Sequence, residues 1–168
     1  GVPVVAAVNG VTAGGGIGLA LAADVALAAT SASFTNVFAQ QLGLVPDMGA
    51  SWAVPRAIGR SRAQAWALLG DRVDATTAAS CGLVHEVVDD DELPAAATDV
   101  ARRLGRLPAA TLLAVRRLVE ESTAPLAEAL VAEWETQADL IDRGHLVEGI
   151  EAFFAERRPE FGACHRGE

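Results

Sequence analysis

The feature that most constrains this chain is a short apolar segment that runs into a glycine-rich turn. Residues 2–8 are almost wholly apolar and rich in β-branched side chains, which is typical of a strand buried on both faces of a parallel sheet. Asn9-Gly10 and the triplet Gly14-Gly15-Gly16 follow, and residues 17–23 then read as a short helix. A strand, a glycine-rich turn and a helix in this order predict an α/β fold.

The rest of the chain divides into an α/β part and a helical part. We predict strands at 24–29, 33–35 and 83–88, and helices at 50–58, 61–69 and 76–82. Ser61 is a candidate helix cap, and Gly70 marks the end of the same helix. From residue 93 onward the apolar spacing is helical, with breaks at Pro108 and Pro125. We therefore expect an α/β core over residues 1–92 and a helical region over residues 93–168.

Composition excludes several classes of function. The formal net charge is −9 over 168 residues, which argues against nucleic acid as a partner. All 13 basic residues are Arg and there is no Tyr, so neither a Lys Schiff base nor a Tyr proton donor is available. We expect no metal ion, because three scattered His residues lack ligand spacing, and no membrane span, because no apolar run reaches ~18 residues. Cys81 and Cys164 have no CxxC partner, which favours a reducing compartment such as the cytoplasm.

The glycine triplet offers backbone N–H groups at the start of a helix. Such groups lack intrahelical acceptors and can bind a phosphate or stabilise an oxyanion. A P-loop is excluded because no Lys-Ser or Lys-Thr follows, and neither the glycine spacing nor a following acidic residue matches the Rossmann fingerprint. A tight turn with close packing of the helix on the sheet remains the structural alternative.

The motifs of this chain, taken together, resemble the crotonase (enoyl-CoA hydratase/isomerase) superfamily. The segment PVVAAVNGVTAGGGIGLALAADVALA at 3–28 is similar to the central signature of that family. The stretches LGLVPD at 42–47, ALLG at 67–70 and EGIEAFFAERRP at 148–159 match in the same order. The resemblance covers essentially all 168 residues. It implies a spiral of ββα units with a C-terminal helical region that serves in oligomerisation and in closing the active site.

The resemblance also implies what the glycine turn does. In the family, the middle glycine of the triplet donates its backbone N–H to the oxygen of a coenzyme A thioester, and that glycine is Gly15 here. Ala13 and Gly14 are then expected to line the substrate site. A second N–H donor and much of the adenine pocket belong to segments that precede this sequence in the family. We therefore expect the chain to be truncated at its N-terminus and, as it stands, to be inactive.

The acidic residues separate two reactions of the family. Hydratases use two glutamates, and the matching positions here are Gly18 and Phe38, neither of which carries a proton. Isomerases that shift an enoyl double bond use one carboxylate, and it matches Asp47. The motifs GLxPD, WxxPR and ALLG resemble the phenylacetate-pathway enoyl-CoA isomerase branch. An isomerase that shifts an enoyl double bond or rearranges a ring-epoxide acyl-CoA, with Asp47 as proton shuttle, is therefore favoured. The structural alternative is that Asp47 only caps the next helix.

Three other functions are alternatives to the isomerase. An enoyl-CoA hydratase is one alternative, and a non-catalytic acyl-CoA-binding or assembly subunit is another. A dehalogenase acting on aryl-CoA would use Asp47 as a nucleophile, and Phe34 and Phe38 give it faint support as contacts to the acyl group.

The resemblance also sets expectations for ligands and assembly. Arg157 in the last helix is a candidate contact to the phosphates of coenzyme A, unless it lies on a solvated face. We expect no cofactor apart from the coenzyme A of an acyl-CoA substrate. The family usually forms homotrimers or hexamers, so the same assembly is expected here.

Overall fold

The computed structural model describes residues 2–161, so Cys164 and His165 lie outside the described part of the chain. Two compact units are distinguished. The α/β unit is Val4–Ala101, and the helical unit is Arg102–Glu168 together with Gly1–Pro3. The boundary falls nine residues after the predicted one. The reason is that Leu93, Ala96, Ala97 and Val100 at the start of a helix pack on the hydrophobic core of the α/β unit.

The α/β unit contains two small sheets. The first has the order β1 (Val5–Val8), β3 (Val25–Ala29), β6 (Glu86–Val88), and all its strands are parallel. The second has the order β2 (Val11–Ala13), β4 (Ser33–Thr35), β5 (Arg72–Asp74), with β2 parallel and β5 antiparallel to β4. β1 and β2 belong to different sheets although only Asn9 and Gly10 separate them. The glycine-rich segment therefore moves the chain from one sheet to the other before the first helix begins.

Four α-helices accompany these sheets within the α/β unit: α1 (Gly15–Leu21), α2 (Ala50–Ile58), α3 (Arg60–Leu69) and α4 (Ala75–Ser80). A single π-helical turn, Phe38–Leu42, precedes α2. The order β1, β2, α1 is the ββα order that the family resemblance implies. The core lies between these elements, and its most completely buried large side chains are Ile17, Leu27 and Phe34.

Turn chemistry sets the helix ends in this unit. α3 begins at Arg60 with Gly59 as its N-cap, so the prediction that Ser61 caps this helix is wrong. Its C-terminus at Gly70 is confirmed, and Gly70 takes φ 70°, which glycine adopts without the steric cost of a Cβ. α4 begins at an aspartate, because the Asp74 carboxylate accepts a hydrogen bond of 2.7 Å from the N–H of Thr77.

The remaining helices follow the predicted breaks. α5 (Leu93–Leu104) contains the boundary between the units, and it is followed by α6 (Ala109–Glu120), α7 (Leu126–Asp142) and α8 (His145–Phe154). Pro108 and Pro125 occupy the N-cap positions of α6 and α7, where the missing N–H of proline costs no helical hydrogen bond. None of the helices within residues 2–161 combines the length and the apolarity that crossing a bilayer requires.

Candidate active site

The glycine turn is held at the carboxyl end of the second sheet. Gly14 takes φ 54° and ψ −126°, a region that side chains disfavour, and its N–H donates to the carbonyl of Thr35 at 3.2 Å. β2 ends at Ala13, an exposed residue, and α1 begins at Gly15. The conformation of Gly14 therefore lets the chain leave a strand and enter a helix within one residue.

Gly15 presents an unused hydrogen-bond donor. It is the first residue of α1, so its N–H has no acceptor inside the helix. Outside the helix, no backbone carbonyl among residues 2–161 accepts a hydrogen bond from this N–H either. A backbone N–H in this position is able to donate to a ligand oxygen, as the family resemblance implies.

The Asp47 carboxylate lies against the same glycine. A Cβ placed on Gly15 would be 3.0 Å from Oδ1 of Asp47 and 3.0 Å from Cγ of Met48. The carboxylate is exposed and accepts no hydrogen bond and forms no ion pair within the described residues. The structure thus brings together two residues that are 32 positions apart in the sequence and that the family resemblance assigns to one site.

Asp47 does not cap the following helix. α2 begins at Ala50 with Gly49 as its N-cap, and no side chain provides a cap hydrogen bond there. The backbone carbonyl of Asp47, and not its carboxylate, accepts the N–H of Ala50 at 2.9 Å. The structural alternative for this residue is therefore wrong, and the carboxylate is left without a local structural role.

The two positions to which the resemblance assigns glutamate in hydratases differ in their surroundings. At Gly18, an added Cβ would lie 2.8 Å from both the carbonyl carbon and the Cβ of Met48, and closer still to the Met48 carbonyl oxygen. At Phe38, the buried ring lies under the turn, with its Cζ 3.4 Å from the position of a Cβ on Gly14. Gly18 thus has no room for a side chain, and Phe38 carries a buried ring that cannot transfer a proton.

The predicted acyl contacts lie at different depths. Phe38 is 7% exposed and packs against the turn, whereas Phe34 is only 1% exposed. Phe34 lies in the middle of β4, between Thr12 of β2 and Val73 of β5, and belongs to the hydrophobic core. Its predicted contact to an acyl group is therefore at odds with its burial.

Arg157 differs from the expectation in two respects. It lies after the end of α8 and not within the last helix. Its guanidinium forms two hydrogen bonds with the Glu148 carboxylate, at 2.7 and 2.9 Å. A phosphate group at this residue would have to compete with a carboxylate that already holds it.

The described residues form no candidate metal site, and one cavity lies away from the glycine turn. Residues 2–161 bring no three His, Cys, Asp or Glu side chains together in a way that could hold a metal ion. A cavity of about 450 Å³ lies at the other end of α1, where it is bordered by Leu21, Asp24 and His85. Neither Gly15 nor Asp47 borders that cavity, so it is separate from the candidate active site.

The sequence matches a known family over nearly its whole length. Residues 1–164 match the family described as enoyl-CoA hydratase/isomerase. The chain belongs to this enoyl-CoA hydratase/isomerase family. The resemblance to the crotonase superfamily is thereby confirmed, and the individual relatives include enzymes named for both reactions.

Three of these relatives show the extent of the similarity. The chain is 40% identical to the 1,2-epoxyphenylacetyl-CoA isomerase of Escherichia coli K12 over 95% of its own length and 61% of that protein. It is also 40% identical to a Rhodobacter capsulatus protein named "Probable enoyl-CoA hydratase", over 95% of the chain and 62% of the relative. The crystal structure of an enoyl-CoA hydratase/isomerase from Cupriavidus metallidurans matches with a TM-score of 0.88 and 32% identity, over 95% of the chain and 60% of that structure.

The chain therefore spans about three fifths of the length of the relatives it matches. The likeness to the solved structure confirms the predicted crotonase-type α/β fold. Gly15 and Asp47, which the sequence singles out, lie close together, whereas the sequence does not single out Met48, whose backbone closes the space beside Gly18. The available signal was Gly18 itself, because a glycine inside a helix often marks a close approach of another backbone.

Proposed function

We propose that this family member acts as an acyl-CoA thioester isomerase that moves an enoyl double bond. The observation that carries the proposal is the position of the Asp47 carboxylate beside Gly15, whose N–H has no acceptor among residues 2–161, without a second carboxylate at Gly18 or Phe38. Shifting a double bond needs one group that removes a proton and returns it elsewhere, whereas adding water needs a group that also activates the water. One carboxylate is sufficient for the first reaction.

The proposed reaction has two proton transfers. The Asp47 carboxylate takes a proton from C2 of a 3-enoyl-CoA, and the C–H electron pair moves into the thioester, which becomes a dienolate. The N–H of Gly15 donates to the resulting oxyanion, which is where negative charge develops. The protonated Asp47 then delivers the same proton to C4, and the electrons return to form the 2-enoyl thioester. No cofactor is consumed, and no atom is gained or lost.

Two further elements of the proposal rest on the relatives and on composition. The E. coli relative is named for the isomerisation of an epoxide of phenylacetyl-CoA, so a ring epoxide attached to the same thioester is the second substrate class to assay. A hydratase remains an alternative because the R. capsulatus relative carries that name. We place the protein in the cytoplasm, in keeping with two cysteines that lack a CxxC pattern.

We also propose that the protein works as a homo-oligomer, with three or six subunits. Large apolar side chains of the helical unit are exposed in the single chain, among them Leu126, Leu130 and Trp134 on α7. Exposed apolar surface of this kind marks interaction sites.

The test uses the protein at its full natural length with 3-hexenoyl-CoA as substrate. Replacing Asp47→Asn keeps the shape of the side chain but removes its basicity, so kcat is expected to fall by about 10²–10⁴-fold. Formation of the conjugated 2-enoyl thioester is followed by its ultraviolet absorbance. Asp91→Asn, which changes an exposed aspartate in the turn before α5, is the matched control and should leave kcat within twofold.

The competing functions give different results in the same assay. A rate of isomerisation that survives Asp47→Asn overturns the proposal. Binding of hexanoyl-CoA by the unaltered protein without turnover of 3-hexenoyl-CoA, the 2-enoyl product or a ring-epoxide thioester points to a non-catalytic acyl-CoA-binding subunit. Conversion of the 2-enoyl thioester to a 3-hydroxyacyl thioester points to a hydratase.

A further inference from the structure

The closest approach of two backbone segments at the candidate site occurs at Gly18. A Cβ added there would meet the carbonyl carbon and Cβ of Met48 at 2.8 Å, with the carbonyl oxygen nearer still. Real Cβ atoms are essentially never found closer than 3.0 Å to another heavy atom of this kind. The obstructing atoms are mainly backbone, so they cannot swing aside as the end of a flexible side chain does. Gly18 is fully compatible with this contact only because it has no side chain.

The segment that touches Gly18 is the one that carries Asp47. Met48 takes φ 49°, which is unusual for a residue with a side chain, and Gly49 takes φ 80° immediately after it. The carbonyl of Asp47 accepts the N–H of Ala50, which closes a tight turn into α2. A left-handed backbone at a non-glycine residue is strained and persists where surrounding contacts fix it. The contact with α1 at Gly18 is one such contact.

The side chains of Asp47 and Met48 both lie next to Gly15. Oδ1 of Asp47 and Cγ of Met48 are each 3.0 Å from the position of a Cβ on that residue. Gly15 and Gly18 are one helical turn apart on α1, so the backbone of Met48 rests on the second turn while the Asp47 side chain reaches the first. Moving Met48 away from α1 would therefore move the carboxylate away from the N–H of Gly15.

We propose that Gly18 is a positioning residue: its missing side chain lets the backbone of Met48 pack on α1, and this packing holds the Asp47 carboxylate beside Gly15. The inference rests on the proposed function, because the position of the carboxylate matters only if Asp47 transfers the proton. Its physical consequence is that position 18 cannot carry any side chain while the Asp47 turn keeps this conformation.

The experiment compares Gly18→Ala with two controls in the full-length protein. Gly18→Ala should lower kcat for 3-hexenoyl-CoA by about 10- to 100-fold, because a misplacement of about 1 Å can cost 10²-fold in rate. The Kd of hexanoyl-CoA, a saturated thioester of the same length, should change less than threefold. Gly10→Ala and Gly149→Ala add a methyl where no atom of residues 2–161 lies within 4 Å, and both should keep kcat within twofold.

A double-mutant cycle with Gly18→Ala and Asp47→Asn distinguishes a positioning role of Gly18 from a general loss of structure. If Gly18 acts through Asp47, then adding Gly18→Ala to Asp47→Asn should lower the residual rate by less than twofold, since coupled residues are not additive. A full additional loss in the double variant, or an unchanged kcat in Gly18→Ala alone, overturns the inference. A rate retained by Asp47→Asn overturns the proposed function instead, so the two failures are distinguishable.

A second pair of variants tests the same inference if Gly18→Ala does not fold. Met48→Gly removes the Cβ that lies 2.8 Å from the added methyl and frees the backbone at that residue. The rate of Met48→Gly is then compared with that of Met48→Gly combined with Gly18→Ala. A drop of about 10-fold or more in the combined variant supports positioning through the Met48 backbone, and equal kcat values overturn it.

Discussion

Three glycines around the candidate site are needed for three different physical reasons. Gly14 supplies a backbone conformation that side chains disfavour, Gly15 supplies an N–H without an acceptor in the described part of the chain, and Gly18 supplies space. The sequence shows all three as one glycine-rich segment and cannot distinguish them. The distinction comes from the backbone of Met48, which is 30 residues away from Gly18 and meets it only in the folded chain.

The role of the Gly15 N–H can be tested with a pair of substitutions at that residue. Gly15→Pro removes the N–H, and proline is well tolerated at the first position of a helix. Gly15→Ala keeps the N–H but adds the same Cβ, 3.0 Å from Oδ1 of Asp47. Because an oxyanion donor is worth about 10²–10³-fold in kcat, Gly15→Pro should be slower than Gly15→Ala by roughly that factor.

Both Gly15 variants place a Cβ close to Asp47, but only Gly15→Pro lacks the N–H. The difference between their rates therefore reports the hydrogen bond from that N–H. Steady-state kinetics with 3-hexenoyl-CoA give both kcat values, and circular dichroism checks that α1 has kept its helical content. Equal rates in the two variants would show that the N–H has no part in the reaction.

The sequence and its family resemblance indicated which side chains could carry a proton, but not how deeply each side chain lies. The absence of a carboxylate at Gly18 and Phe38 and the presence of one at Asp47 were visible in the sequence, because residue type decides which groups can carry a proton. The depth of each side chain was not visible. Phe34 and Phe38 looked equivalent as aromatic residues, yet Phe34 lies in the centre of a sheet and Phe38 against the turn.

Elements with a clear start or stop signal were predicted well. The predicted limits of β4 and α2 agree with the structure, and Gly70 ends α3 as expected. The short strands β2 and β5 were missed, because β2 lies inside the glycine-rich segment and β5 has a charged residue at each end. Asn9-Gly10 was also interpreted as part of a long turn, although a strand that enters the second sheet follows it directly.

Glu148 joins α8 to the segment that follows it. Its carboxylate accepts hydrogen bonds from the Arg157 guanidinium, at 2.7 and 2.9 Å, and from the N–H of Glu160, at 2.6 Å. The hydrogen bonds from Arg157 and then from Glu160 lower the pKa of Glu148 from 4.5 to about 2. The segment at 157–160 is thus attached to the helix by an ionised carboxylate.

This attachment should depend on pH in a defined window. Because the pKa is lower in the folded chain, the stabilisation is complete above pH 4.5 and is lost as the pH falls towards about 2. A carboxyl-carbon NMR titration should show Glu148 titrating near pH 2. Arg157→Gln should raise that pKa towards 4.5, whereas Arg158→Gln should leave it unchanged, since the Arg158 side chain makes no contact with Glu148 within the described residues. A midpoint near 4.5 in the unaltered chain would contradict the structure.

At the scale of the whole molecule, the negative net charge disfavours one class of partner, and the exposed apolar side chains of the helices favour another. The net charge of −9 disfavours association with nucleic acid. Leu126, Leu130, Trp134 and Ile141, which share one face of a helix by their spacing, are all exposed on α7. The buried Thr136 lies on the opposite side of that helix and accepts a hydrogen bond of 2.7 Å from Arg117 within the helical unit. One face of α7 is therefore used inside the unit, and the other is available to a second copy.

The proposed homo-oligomer makes this apolar face a test of assembly. Trp134 is 76% exposed and lies near the middle of the face, so a charge there would be buried without a partner on association, at a cost of several kcal/mol. Trp134→Glu should shift the full-length protein from a trimer or hexamer to a monomer in light scattering coupled to gel filtration. Trp134→Phe and Leu130→Met keep the face apolar and should retain the oligomer. If Trp134→Glu keeps the mass of the unaltered protein, this face of α7 is not the subunit contact. If the unaltered protein is itself a monomer at micromolar concentration, the proposed assembly is wrong.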